Sequence, residues 1–441
     1  MSCWHLTQGT VAAHTSEMRQ AKSFLDQSIC VIKGHVFMMR QIILKILLGA
    51  RGLLAIYTLT LACLDFENRS VQAQVSTAIT HTTGVGDLGT RTISQGQTTQ
   101  IIGGTRSDQG SGSSLFHSFN QFSVGDGHTA QFLNTTPSLR TNNILSRVTG
   151  GDHSSIFGSI DTTSYPGANL FFMNPAGIVF GPNAALHVDG AVAFTTADYL
   201  RLAQADGSNA GIFRADPRAT PQLSSAPIAA FGFLGDHPAA IIVNGTALTL
   251  EPGQSFSLIG GNITIQSTML GDKADPITPG NQIFMASAAS PGEILVGTLA
   301  SAANINGELL QTLGTVHISQ GSKIDTSNHD GGTIRIRGGR LTIDTSVISA
   351  STGNIELDAT SIQITDATQI KTKPTISANA GHITMKASGN IDLDSAIVQS
   401  LSGTSPGGTG NITISSSQGT VNIVDSLVTS QVDISGNAGA I

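Results

Sequence analysis

Apolar and polar residues alternate in short runs through the C-terminal half of the chain. In "TGNIELDA", from Thr352, Ile355 and Leu357 point one way, Asn354 and Glu356 the other. Ile383 and Met385 repeat the pattern in "AGHITMKA", and Ile412 and Ile414 repeat it in "TGNITISS". "GGTIRIRG" from Gly331 belongs to the same set, and "GGNITIQS" from Gly260 reads as an earlier copy. A second alternating run follows each, starting at Leu341, Ile362, Ile391 and Val421, at intervals of 21, 29 and 30 residues. "VHISQGSKI", from Val316, reads as an earlier copy of this second run. A third apolar position follows at Ile348, Ile370, Ile397 and Leu427. Each unit thus predicts three short strands with one inward face apiece.

Such a unit cannot bury its own apolar face. Stacked units bury it in continuous ladders of Ile, Val and Leu. The fold class expected is all-β, a parallel β-helix solenoid. A β-sandwich or propeller competes, but unequal intervals and the lack of an aromatic motif per unit count against a propeller. The sequence ends "SGNAGAI", with Gly439 one repeat after Gly410. The next strand is due there, so the natural protein is expected to continue.

A denser apolar stretch lies upstream, "ANLFFMNPAGIVFGPNAALHVDG" from Ala168 to Gly190. Pro175 has no N–H for a central ladder, and Gly177 tolerates a positive φ. The stretch therefore predicts strand, tight turn, strand, with Asn174 able to bond its own backbone.

Composition fits many short strands and tight turns: 50 Gly in 441 residues, and only 12% charged. Cys3, Cys30 and Cys63 all lie near the N-terminus. From Met38 or Met39 the chain reads as a secretory signal. Arg40, Lys45 and Arg51 supply charge, "LLAIYTLTLACL" an apolar core about a dozen residues long, and Val71-Gln72-Ala73 a cleavage site. That core falls short of the ~20 residues that span a bilayer. Residues 1–37 are expected to be an upstream extension, disordered or ahead of the true start, and 38–73 a signal peptide cleaved after Ala73. The remaining chain would hold no cysteine, which suits passage through an oxidising periplasm in unfolded form. Its charge would be 15 Lys and Arg less 25 Asp and Glu, or −10, which argues against nucleic acid.

Chemistry-bearing motifs are sparse. The 12 His show no zinc spacing, so neither a metal site nor a cofactor is expected. "IIGGTRSDQGSG" lacks the Gly-Lys-Ser/Thr of a phosphate loop. Asp344, Asp358, Asp366, Asp392, Asp394 and Asp425 fall at repeated strand and turn positions, and read as solvated carboxylates rather than a catalytic set. No catalytic residue is assigned.

From Val75 to about Ile294 the chain resembles the filamentous-haemagglutinin N-terminal domain, the secretion domain of two-partner secretion exoproteins. The resemblance is carried by "IIGGTRSDQGSGSSLFHSFNQFSVGDGHTAQF", "NILSRVTGGDHSSIFGSI" and the Asn174 block, which has Ala176 where the family has a second Asn. "FGFLGDHPAAIIVNG", "GQSFSLIGGNITI" and "ASAASPGEI" continue it. The family's Asn-Pro-Asn-Leu motif has no clear copy; "TPSL" from Thr136 sits near its place. The resemblance implies a right-handed β-helix. It would run from a secretion domain at 74–310 into coils at 311–441. It implies recognition by an outer-membrane β-barrel transporter with periplasmic domains. The motif residues it points to are Phe116, His117, Ser118, Phe119, Arg147, Gly150, Gly151, Asn174, Pro175, Gly177 and Ile178. His117 is expected to be a packed turn histidine. The function implied is a secreted, surface-exposed exoprotein of a Gram-negative bacterium. Its repeats would form a stalk or adhesive rod toward surface glycans or proteins of a host or neighbouring cell. The alternative is a β-helical polysaccharide lyase or hydrolase, which needs titratable groups converging in one groove.

Overall fold

A computed structural model describes residues 75–441 except 252, 273–280, 296–309, 328–330, 375–377, 404–406 and 433–435. The expected signal peptide at 38–73 and the expected upstream extension at 1–37 lie outside the described residues. The chain from Gln74 onward is one compact unit, built almost wholly of strands.

The fold is a parallel β-helix, and three ladders of inward residues run along it. The first climbs from Leu115 through Ile144, Leu170, Val192 and Phe256 to Ile283, then through Ile334, Ile355, Ile383 and Ile412. The second joins Ile178, Ile241, Ile263, Val316, Leu341, Ile362, Ile391 and Val421. The third joins Leu248, Leu270, Ile324, Ile348, Ile370, Val398 and Val428. Nearly all of these side chains are shut off from solvent. Each rung therefore borrows its dry surroundings from the rungs above and below. At ~25 cal/mol per Å² this burial is the main stabilising term.

Two assignments shift against the sequence reading. "GGNITIQS" belongs to the second ladder, because Ile263 stacks between Ile241 and Val316. The third inward position in the last two coils is Val398 and Val428. Ile397 and Leu427 sit beside them in register with Gln369, facing out, and Leu427 is 50% exposed. In "SAIV" and "SLVT" two apolar residues are adjacent, and strand pleat permits only one of them inside.

The corner before the first ladder explains the Gly-Asn signature. Coils approach so closely there that a Cβ on Gly353 would lie 1.8 Å from the Gly332 carbonyl oxygen, and one on Gly381 1.8 Å from that of Gly353. The next residue caps the following coil: the Asn354 side chain accepts from the His382 amide and Asn411 from the Ala440 amide, both at 2.9 Å. At the next corner Thr345, Asp366, Ser395 and Asp425 adopt positive φ. Hydroxyls of Thr268, Ser322, Ser346 and Thr368 line the buried side of that bend, and the Ser346 amide donates to Thr368 Oγ1.

The N-terminal end is closed by antiparallel pairing. Ala78–His81 lies against Ser114–Ser123, and Thr90–Gln95 against Thr98–Gly103. Both pairings cover the first coil, whose open edge would otherwise invite another chain.

A second layer was not expected. Tyr199–Ala203, Asn209–Arg214, Ile228–Phe233 and Gly292–Leu295 form an antiparallel sheet outside the helix. Phe116, Leu145 and Phe171, on the outward face of the first ladder, pack against its Leu200, Phe213 and Phe231 in a second core. The Phe116 and Phe213 rings meet edge to face at 5.0 Å. In the later coils the same outward row carries Arg335 beside Glu356 and Arg337 beside Asp358. An apolar, covered face thus becomes a charged one after Phe284.

Candidate functional site

The Asn174–Gly177 turn links two ladders. Asn169–Met173 pairs in the first, and Ile178–Phe180 in the second. Asn174 Oδ1 accepts from the Ala176 amide at 3.0 Å, its Nδ2 donates to Ser154 Oγ at 2.9 Å and to the Asp152 carbonyl at 3.0 Å. The Gly177 amide closes the turn on the Asn174 carbonyl at 3.1 Å. Pro175 fixes the first turn residue, and Gly177 takes φ +114°. The Asn174 amide is thus used on both sides, which explains why a short side chain with donor and acceptor is needed there.

Arg147 lies one coil below and is fully buried. Its Nε donates to Ser118 Oγ at 3.0 Å. Its two terminal nitrogens donate to the carbonyl oxygens of Arg214 at 2.6 Å and Gly86 at 2.9 Å. The guanidinium also stands 5.4 Å from the Phe213 ring centre. One side chain therefore ties the N-terminal cap, the helix and the outer sheet. Burial pushes its pKa down to about 10, against the pull of the Asp216 carboxylate.

His117 is in mid-strand rather than in a turn, and is completely buried. Nδ1 lies 3.3 Å from Thr90 Oγ1, Nε2 has no partner, and the ring meets Phe132 edge-on at 5.3 Å. Desolvation holds its pKa down to about 3, so the ring is neutral. Phe116, Ser118, Phe119 and Ile178 are also buried. Among the motif residues only Gly150 and Gly151 are exposed, and Pro175 is half-buried. A Cβ at Gly150 would meet the Asn120 carbonyl oxygen at 2.1 Å. The structure brings Arg147, Gly150, Gly151, Asn174, Pro175 and Gly177 into one corner region and leaves the Phe116–Phe119 strand beneath it.

That corner opens on a cleft of about 390 Å³. Val148, Thr149 and Gly151 form one wall, Asn174 to Ala176 another, and Asp198 with Ala215 to Arg218 the third. The third wall belongs to the outer-sheet segment, which no repeat pattern marks in the sequence. Asp198 Oδ2 accepts from the Leu234 amide at 2.7 Å, and Asp216 Oδ1 from the Arg218 amide at 2.9 Å. A second unmarked organiser is Arg106, which donates to the Arg140 carbonyl and to Thr141 Oγ1 and so holds the segment that carries "TPSL".

The Asp residues of the coils do not converge. Asp358 faces Arg337, Asp392 accepts from Asn422, and Asp366 and Asp425 are at separate bends. Among the described residues no group of three or more His, Cys, Asp or Glu is placed to hold a metal ion.

Residues 77–336 match the family model described as the TPS secretion domain. Two solved structures are similar. One is a filamentous hemagglutinin secretion domain: 14% identity, TM-score 0.39, covering 82% of this chain and 99% of that one. The other is the HMW1 secretion domain from Haemophilus influenzae: 15% identity, TM-score 0.35, covering 82% of this chain and all of the other, at 100%. No curated protein sequence matches the chain.

Proposed function

The chain belongs to the TPS secretion domain family and is an exoprotein of a two-partner secretion system; from that premise we propose that residues 74–310 are its export address, read by the periplasmic domains of an outer-membrane β-barrel transporter. The coils from 311 onward are then the cargo, a rod displayed at or released from the cell surface. The observation that carries this reading is the family match over residues 77–336. It spans the part of the helix that bears the cap, the outer sheet and the corner cleft, and runs on into the first coils after 310. Beyond it the coils are bare and repetitive, as a spacer requires.

The same geometry supplies a driving force. Export across the outer membrane has no nucleotide source, so release of free energy outside must supply direction. Each coil that emerges stacks its three inward positions on the coil before, and backsliding would strip that apolar surface. The polar outward rows of the coils suit broad contact with glycans or proteins rather than acid–base chemistry, which supports an adhesive role. The leader at 38–73 would take the chain to the periplasm.

The test is export itself. With the transporter gene deleted, the protein should vanish from the cell exterior and remain in the periplasm. Undiminished export without any such transporter would end this reading.

A further inference from the structure

We propose that the export address is linear and aromatic. Apolar grooves on the transporter's periplasmic domains take up Phe side chains of the unfolded secretion segment, and folding outside the cell buries those side chains and erases the address. The proposal rests on transporter recognition by the secretion domain and assigns the chemistry that is read.

Three observations support it. First, aromatic residues divide the chain. Of its 17 Phe, Phe24, Phe37 and Phe66 precede residue 75, and the other 17 − 3 = 14 lie from Phe116 to Phe284. Tyr165 and Tyr199 fall in the same stretch, and no Phe, Tyr or Trp occurs from 285 to 441. Ile, Val and Leu run through both halves. Both halves are also acidic, at 8 − 14 = −6 over residues 75–295 and 7 − 10 = −3 over residues 311–441. Aliphatic content and sign of charge therefore do not tell address from cargo in an unfolded chain, and the aromatic side chains do. A ring also brings a large apolar area to a contact, which offsets the cost of ordering a flexible segment.

Second, closing the helix does not by itself call for these rings. Phe172 and Phe194 stand in one inward row with Leu258, Met285, Ile336 and Leu357. Phe180 stands in another, between Ile156 and Val243. Aliphatic side chains fill the same inward positions in neighbouring coils.

Third, folding hides the rings. Of the 14, all but Phe157 are buried. Phe122 meets Phe172, and Phe180 meets Phe194, each edge to face at 4.8 Å. Phe116, Phe171 and Phe284 face outward from the first ladder and lie in the second core with Phe213 and Phe231. An address that folding buries is readable only before the chain has crossed. The folded domain then does not compete for the transporter it has left.

The experiment unfolds the full secreted chain in urea and dilutes it into the purified periplasmic domains of its transporter. Binding is read at the earliest times, before folding, and again with chain that was refolded first. The unfolded chain should bind, and the refolded chain should bind about tenfold more weakly or worse. Phe172→Leu/Phe180→Leu/Phe194→Leu, diluted in the same way, should lose about tenfold. Both chains are read unfolded, so any cost to the folded state does not enter. Ile334→Val/Ile336→Val/Ile355→Val, in the coils, should bind like the wild type. Equal binding by the unfolded wild type and the Phe variant, or an equal loss from the coil substitutions, would overturn the aromatic address while leaving recognition standing. Refolded chain that binds as well as unfolded chain would overturn its erasure by folding. A wild-type chain that binds in neither form would overturn recognition and the aromatic address together.

Discussion

The Arg147 guanidinium donates to the Arg214 carbonyl oxygen at 2.6 Å, across 67 residues of sequence. No carboxylate pairs with this buried cation at hydrogen-bond distance among the described residues; carbonyl and hydroxyl oxygens surround it. Replacing it with Met leaves the carbonyls of Gly86 and Arg214 without a donor. Arg147→Met should cost about 3 kcal/mol, read as a lower urea midpoint. Proteolysis of the 198–235 segment should rise at the same time.

Asn174→Ala removes an acceptor for the Ala176 amide and both donors to Ser154 and Asp152. The expected loss is about 1 to 2 kcal/mol. Asn174→Asp, which keeps the Ala176 contact but not the donors, should fall between.

At the coil corner, Gly381→Ala drives a methyl group into the Gly353 carbonyl oxygen. Because that oxygen is backbone, the clash cannot be relieved by a side-chain rotation, and the loss should reach about 2 kcal/mol or more. Gly235→Ala, where nothing lies within 4 Å, is the control and should leave the thermal midpoint unchanged.

His117 makes the N-terminal coil acid-sensitive. Its pKa falls from 6.5 to about 3 on burial, so the unfolded chain takes up the proton first. The stabilisation is fully present above pH 6.5 and drains as pH drops toward 3, at up to about 1.4 kcal/mol per unit. Equilibrium unfolding between pH 7 and 4 should show this slope, and His117→Gln should flatten it.

Proline at Ile355 or Ile412 probes the driving force for export. The amides there donate to the carbonyls of His382 and Ala440 in the next coil. Each substitution removes such a bond and an inward side chain, at about 3 kcal/mol or more. Release to the exterior should slow in pulse–chase measurements; unchanged kinetics would count against stacking as the drive.

The coils were readable because one face of each strand is wet. Ile355, Ile383 and Ile412 alternate with polar neighbours, and each follows two residues after a corner glycine, Gly353, Gly381 and Gly410. Where two apolar residues adjoin, as at Ile397 and Val398, alternation cannot say which one enters. The outer sheet escaped notice for a related reason. In "SLFHSF" Leu115 and Phe116 put large apolar side chains on both faces, and "NLFFM" has no polar residue after Asn169, which is the mark of strands dry on both faces. Phe116 and Phe171 therefore demanded a cover, and Phe213 and Phe231 supply it. The turn at Asn174 was legible in its residues, but the cleft was not. Asp198 and Asp216 sit in a segment whose position depends on tertiary contacts, the second apolar core and the Arg147 hydrogen bond to Arg214.

The switch from a covered to a bare outward face after Phe284 also separates what selection can change freely from what it cannot. Upstream, adding or removing a coil would tear the outer sheet from its seat. Downstream, each coil meets only its two neighbours, so the rod can lengthen or shorten in whole steps of ~4.8 Å. On the proposed reading of the coils as a displayed rod, its reach becomes a digital quantity, adjustable by duplication without rewriting the upstream domain.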